Sequence, residues 1–247
     1  MVKWIRLSTF MLLPFVGFSQ THHFDWALSW GGNDSQQAKK VTTDNSGNTY
    51  VLGEFNNSGD FDPSAGTFTL SDVNSGTSVF LSKFDQNGTF IWSKLVASGN
   101  NSKAVGLTTD ASGNVYYCGV FMNLVDFNPG TATSNFLTNG SDDLYFSKID
   151  ANGNYLYTKV IGGNDDEVAT GILVVNNRLF ITGNFTGSLD LDPSTGYSPV
   201  ITPNPGTNAF VACFMLDGTF NWGKNVAAGS GVNSSVEDIT ADASGNV

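Results

Sequence analysis

Histidine is nearly absent from this chain. Its 247 residues contain two, His22 and His23, side by side near the N-terminus, where segments are usually mobile. That placement excludes a Ser–His–Asp or Cys–His–Asn constellation and a His-ligated zinc or iron site. Cysteine is as scarce, with only Cys118 and Cys213. Both fall in strand-like segments of different repeats and are expected as buried single thiols, without a disulfide between them. Basic residues are few: 11 Lys and Arg stand against 22 Asp and Glu, for a formal charge of −11. This balance argues against a nucleic-acid partner and against electrostatic adhesion to anionic lipid. Cys-x-x-Cys, P-loop and dinucleotide-binding glycine motifs are all missing. So are long apolar runs. The longest, Phe10–Phe18, is too short to span a membrane. Lys3 and Arg6 precede it, and Gly17 and Ser19 are small residues at −3 and −1 of a cut before Gln20. Residues 1–19 therefore read as a signal peptide. The expected protein is secreted or on the outer cell surface, has no membrane span after cleavage, and carries a charge of −13 once Lys3 and Arg6 are removed.

What the chain does have is glycine (28 residues), many Asn, Ser and Thr, and 40% hydrophobic residues. That mixture suits short strands joined by tight turns and is poor for helices. It is also organised by repetition. Asp44–Tyr50 reads DNSGNTY, Asp110–Tyr116 reads DASGNVY and Asp242–Val247 reads DASGNV, while Val174–Phe180 (VVNNRLF) keeps the apolar frame without the Asp. Tyr116 follows Tyr50 by 66 residues, and Phe180 follows Tyr116 by 64. A fixed period of this size marks a repeat architecture. The repeat region covers 20–247, with units at about 33–98, 99–163 and 164–229 and a partial unit at 230–247.

Each unit carries the same parts. In the first, Ala38–Thr43 and Asn48–Phe55 are strands around an Asp-x-x-Gly turn, a hairpin setting in which Gly supplies positive φ. In the third unit Asn177 takes that Gly position, and Asn is the next most tolerant residue. Next come an Asp-Phe-Asp-Pro element, the strand Ser78–Phe84, a second tight turn at Asp85–Gly88 and the strand Thr89–Val96. Gly53, Gly119 and Gly183 recur inside the second strand, which marks a close backbone approach or a bulge. Trp26, Trp92, Tyr157 and Trp222 recur in the last strand and are expected between neighbouring sheets. Phe24–Trp30 is expected as the last strand of a unit whose beginning is missing. Central strands such as Tyr50-Val51-Leu52 are apolar on both faces, as in a sheet sandwiched between sheets. The fold class is all-β: a β-propeller of four-stranded antiparallel blades, with about three full blades plus partial blades. Three units and a stub make about half a ring, so the chain is expected to be a fragment of a larger one.

The pattern of Trp-x-Lys, Asp-x-Ser-Gly-Asn-x-Tyr-x-x-Gly-x-Phe, Asp-Phe-Asp-Pro and Phe-x-x-Lys-x-Asp-x-x-Gly resembles the SBBP β-propeller repeats of secreted bacterial proteins. The match runs over nearly all of 24–247. It implies a propeller and an extracellular or surface setting, often alongside a type IX secretion sorting domain that this chain does not show. The departures are Val174 for the turn Asp, Tyr157 for Trp, and Ile149 and Phe214 at the position of Phe84. The resemblance implies no single activity.

Carboxylates are the only candidates left for chemistry. Asp34, Asp142, Asp143, Asp165, Asp166 and Glu167 lie near strand ends, and a glycosidase needs two facing acids. Recurrence of these loops in every unit favours connectors over catalysis. Asp60/Asp62, Asp126/Asn128 and Asp190/Asp192 place an oxygen pair at one position of each unit, which suits a hard cation, so calcium is a candidate cofactor. The competing reading is that these acids cap turns while the Pro ends the strand. Trp30 is off the repeat frame and is the Trp to consider for a ligand. The expected function is an exported, non-catalytic binding or scaffold module with a protein or carbohydrate ligand. The alternative is an extracellular carbohydrate-active hydrolase or lyase, acting through propeller loops or a domain beyond Val247.

Overall fold

The computed structural model describes residues 25–32, 34–72, 74, 76–99, 101–194, 206–226 and 232–247. The proposed signal peptide, 1–19, lies outside them. The first unit forms β1 (Gln36–Thr43), β2 (Thr49–Asn56), β3 (Ser58–Asp60), β4 (Thr69–Ser71), β5 (Thr77–Phe84) and β6 (Phe90–Gly99). The second forms β7 (Lys103–Thr109), β8 (Val115–Asp126), β9 (Asn135–Ile149) and β10 (Tyr155–Ile161), and the third β11 (Glu167–Val175), β12 (Arg178–Phe185), β13 (Asn208–Met215) and β14 (Phe220–Asn225). Pairing is antiparallel and sequential within each unit, giving blades β1-β2-β5-β6, β7-β8-β9-β10 and β11-β12-β13-β14. The innermost strands β1, β7 and β11 follow one another from blade to blade, as in a propeller. The described residues do not close a ring.

Local chemistry explains the blades. Asp44 ends β1, and its carboxylate accepts the N–H groups of Ser46 and Asn48, the Asn48 amide and the Tyr50 hydroxyl, all within 3.1 Å. Asp110 repeats the set with Ser112, Asn114 and Tyr116. Gly47 and Gly113 close these turns at φ 79° and 77°. The third hairpin is one residue shorter. Asn177 is left-handed as expected, and Asn176 joins it (φ 56° and 51°), so Val175 pairs directly with Arg178. Two successive positive φ values are the two-residue hairpin geometry whose twist matches the strands.

The in-strand glycines mark both a bulge and a close approach. The inner strand slips register at Ala38/Lys40, Ala104/Gly106 and Ala169/Gly171, opposite Gly53, Gly119 and Gly183. A Cβ on Gly119 would lie 1.8 Å from the Lys103 carbonyl oxygen.

Blade-to-blade packing also repeats. A Cβ on the turn glycine Gly88 would meet the Trp26 ring at 2.8 Å, and one on Gly153 or Gly218 would meet Trp92 or Tyr157 at 3.4 and 3.1 Å. Lys83 lies over the Tyr50 ring and donates to the Ala151 carbonyl of the next blade at 2.9 Å. Lys148 does the same with Tyr116 and Leu216, at 3.0 Å. Cys213 stands at this position in blade 3, so that blade has no such clamp. Both cysteines are buried and free, and burial pushes the Cys118 thiol up to about 12.

Two expectations need correction. Asp25–Trp30 is not a strand: no neighbouring strand among the described residues offers it a ladder. It lies along blade 1, with Trp26 Nε1 donating to the Gln86 carbonyl at 3.2 Å and Leu28 and Trp30 packed on the Phe55/Phe61/Phe80/Phe84 core. Trp222 does not sit between sheets. It is 37% exposed and touches Phe180 of its own blade. The stretch after the second strand adds pairing of its own. In blade 1 it forms the β3–β4 hairpin, and in blade 2 the corresponding pairs Leu124–Leu137, Val125–Phe136 and Asp126–Asn135 extend β8 and β9.

Candidate functional site

The blades have two unlike ends. One carries the short Asp-x-x-Gly turns. The other carries the connectors between blades and the hairpin after the second strand, and the site candidates gather there.

The Asp-x-Asp/Asn-Pro elements form the tips of these hairpins in blades 1 and 2 and follow β12 in blade 3. Asp60 Oδ1 accepts the N–H groups of Asp62 and Phe68 at 3.1 and 2.9 Å, and Asp62 Oδ1 that of Ser64. Asp126 Oδ1 accepts from Asn128 and Ser134, and Asn128 Oδ1 from Gly130. Asp190 Oδ1 accepts from Asp192, whose own Oδ1 caps Ser194. The residue between the two oxygen donors is apolar and fully buried: Phe61, Phe127 or Leu191. Phe61 stacks on Phe80 at 4.6 Å and Phe127 on Tyr145 at 4.6 Å. The oxygens thus shape a loop that drives an anchor into the core. Among the described residues no three His, Cys, Asp or Glu gather as a metal-holding group.

Of the loop acids, Asp34, Asp165 and Asp166 are exposed. Asp143 and Glu167 are buried, at 2% and 0% exposure. Burial pushes the Asp143 carboxyl up and raises Glu167 to about 8. Perturbed carboxyls are functional-site candidates in general. A catalytic acid must touch its substrate, however, and these two face protein.

An open cleft of about 430 Å³ lies between blades 1 and 2, lined by Lys39, Glu54, Thr77, Asn101, Lys103, Met122 and Asp142. β1 and β2 position the Lys39 ammonium 3.1 Å from Glu54 Oε2. The other Glu54 oxygen accepts the Ala104 N–H at 3.0 Å, tying blade 1 to the inner strand of blade 2. Asn184 makes the corresponding tie from blade 3 to Val236 at 2.9 Å. The cleft holds two ammonium groups, two carboxylates, an amide, a hydroxyl and a thioether. It contains no His or Cys, and its Glu54 is already engaged twice. This donor set recognises polar groups and assembles no nucleophile–base pair. Only Asp142 was visible as a candidate from sequence, because the other lining residues belong to no motif. Trp30 lines a smaller cleft of about 220 Å³ with Gln36 and Phe80, its ring 5.2 Å from that of Phe84. No helix among the described residues is long and apolar enough to cross a membrane.

No protein-family model matches the chain. It is 26% identical over 235 residues to an uncharacterised WD repeat-containing protein of Acanthamoeba polyphaga mimivirus, covering 80% of this chain and 16% of that protein. It is 25% identical over 171 residues to the regulatory protein FlaEY of Caulobacter vibrioides, covering 67% of this chain and 17% of that protein. The chain spans about a sixth of the length of these relatives. The likeness to a WD-repeat protein accords with an all-β repeat structure built from four-stranded antiparallel blades.

Proposed function

We propose that the chain is a non-catalytic binding or scaffold module of an exported, secreted or cell-surface bacterial protein, engaging a polar protein segment or glycan in the Lys39–Asp142 cleft. One observation carries this reading: the open cleft between blades 1 and 2 presents charged groups of both signs, while the two acids whose protonation is raised, Asp143 and Glu167, are buried in the fold. The resemblance of the repeats to SBBP blades and the apolar N-terminal run support export. The WD-repeat and regulatory relatives accord with a module that binds rather than turns over.

The test is a glycan and peptide array probed with the purified protein and with a Lys39→Glu/Lys103→Glu double variant. Binding by the native protein that the variant loses supports the cleft. Release of reducing sugar from a polysaccharide, abolished by Glu54→Gln or Asp142→Asn, would replace this reading with the hydrolase one. Calcium at the three Asp-x-Asp/Asn-Pro tips is examined by melting in added calcium and in chelator. A higher Tm in calcium sustains it, and equal melting reduces these elements to turns.

A further inference from the structure

Glu167 opens β11 fully buried, and its Oε1 has no hydrogen-bond partner. Its Oε2 accepts the Gly163 N–H at 2.8 Å. The repeat supplies an internal reference for this odd arrangement. Gln36 opens β1 opposite Phe55, as Glu167 opens β11 opposite Phe185. Gln36 Oε1 accepts the N–H of Gly32, four residues back, at 2.9 Å, just as Glu167 accepts from Gly163. The second polar atom of Gln36, Nε2, donates to the Ser58 carbonyl at 3.2 Å.

The blade 3 counterpart of Ser58, three residues past the paired Phe, is Ser188. A Cβ on Gly163 would lie 2.6 Å from the Ser188 carbonyl oxygen and 2.9 Å from Glu167 Oε1, so both oxygens converge on the same glycine. A buried carboxylate oxygen that faces another acceptor and no donor is costly. With a proton on Oε1, the carboxylic acid becomes the electronic equivalent of the glutamine amide: one acceptor and one donor in the same two directions.

We infer that Glu167 is a protonated carboxylic acid in the folded protein, donating from Oε1 to the Ser188 carbonyl, and that it acts as a pH-sensitive latch holding the blade 2–blade 3 connector to the segment that follows β12. The charged groups bearing on it are acidic: Asp143 from β9, and Asp165 and Asp166 from the connector. Asp143 is itself buried, with Oδ1 unpartnered and Oδ2 accepting the Asn139 N–H at 3.0 Å. Burial foremost, and then these neighbours, raise the Glu167 carboxyl from 4.5 to about 8. A raised folded-state value means that the latch is fully present below about pH 4.5. It weakens as pH climbs through the interval up to about 8 and is lost above it.

The test compares thermal unfolding of the native chain and Glu167→Gln from pH 5 to 9. The glutamine variant is expected to fold and to lose less Tm over that range than the native protein. Gln36→Glu is expected to import a matching pH-dependent loss into blade 1. Parallel curves for native and Glu167→Gln would overturn the proposal. So would a calcium-induced rise in Tm at neutral pH that Glu167→Gln abolishes, since an ionised carboxylate would then be holding a cation. Infrared difference spectra of the native chain between pH 6 and 9 need no variant. The carbonyl band of a protonated carboxyl must disappear across the interval, and its absence at pH 6 overturns the latch.

Discussion

The two ends of the blades use the same side chain in opposite ways. At the tight-turn end, Asp44 and Asp150 feel burial pushing them up, yet the N–H and amide donors of Asn48 and Asn154 win and hold both carboxyls below their ordinary range. Asp217 is held low by the Thr219 N–H. At the connector end, Asp143 and Glu167 are pushed up, because burial there is not matched by donors. A carboxylate with several donors stays charged and stiffens a turn. One with a single donor in an apolar pocket moves toward neutrality. The local count of N–H groups decides the role, and the residue type does not.

Breaking this contrast starts with Asp110, which is 8% exposed and caps two backbone N–H groups, the Asn114 amide and the Tyr116 hydroxyl. Asp110→Ala is expected to cost about 3 kcal/mol in chemical denaturation, because buried donors lose a charged acceptor. Asp126→Ala, at the connector end, removes two N–H caps near solvent and is expected to cost about 1 kcal/mol. Equal losses would erase the distinction between the ends.

Next comes pH. Asp44 and Asp150 have depressed folded-state values, so their stabilisation is present above about pH 4 and is lost as pH falls further. Asp44→Asn is expected to shallow the acid limb of the unfolding curve while leaving the limb between pH 5 and 9 unchanged. Smallest of all is Lys39→Ala, where an exposed ion pair with Glu54 is removed; the expected change is about 0.5 kcal/mol or less. A larger loss would make the cleft a structural element and not a binding surface.

Much of the fold was legible in the sequence because its cues are local and said several times. Asp-x-x-Gly fixes a hairpin without reference to anything distant, and Gly53, Gly119 and Gly183 announce a crowded backbone from one position. The shorter third turn was half legible: Asn177 was foreseen as left-handed, but the deletion that makes Asn176 its partner shows only in the pairing of Val175 with Arg178. Asp-Phe-Asp-Pro was legible as a motif, while its purpose was not. Two acids at i and i+2 look alike whether they bind a cation or cap N–H groups, and only the buried Phe61 and Phe127 reveal the anchor. The Lys39–Asp142 cleft was nearly invisible because its walls come from two blades and from residues that belong to no motif. Glu167 was read as one more loop acid. Its equivalence to Gln36 would have been the cue, but it needs the strand register to place both residues opposite a Phe.

The stacking of one blade's aromatic on the next blade's turn glycine has a consequence for how such a chain can change. Trp26 and Gly88, Trp92 and Gly153, and Tyr157 and Gly218 each stand 61 or 62 residues apart, nearly a whole unit. Each half of a contact is therefore written in a different copy of the repeat. A single unit can be duplicated or deleted without orphaning either half, because the copy that leaves takes one aromatic and one glycine with it. A side chain larger than hydrogen at Gly218 has no such freedom, since the ring it would strike, Tyr157, belongs to the preceding unit. The joint between blades is thus easy to multiply and hard to edit.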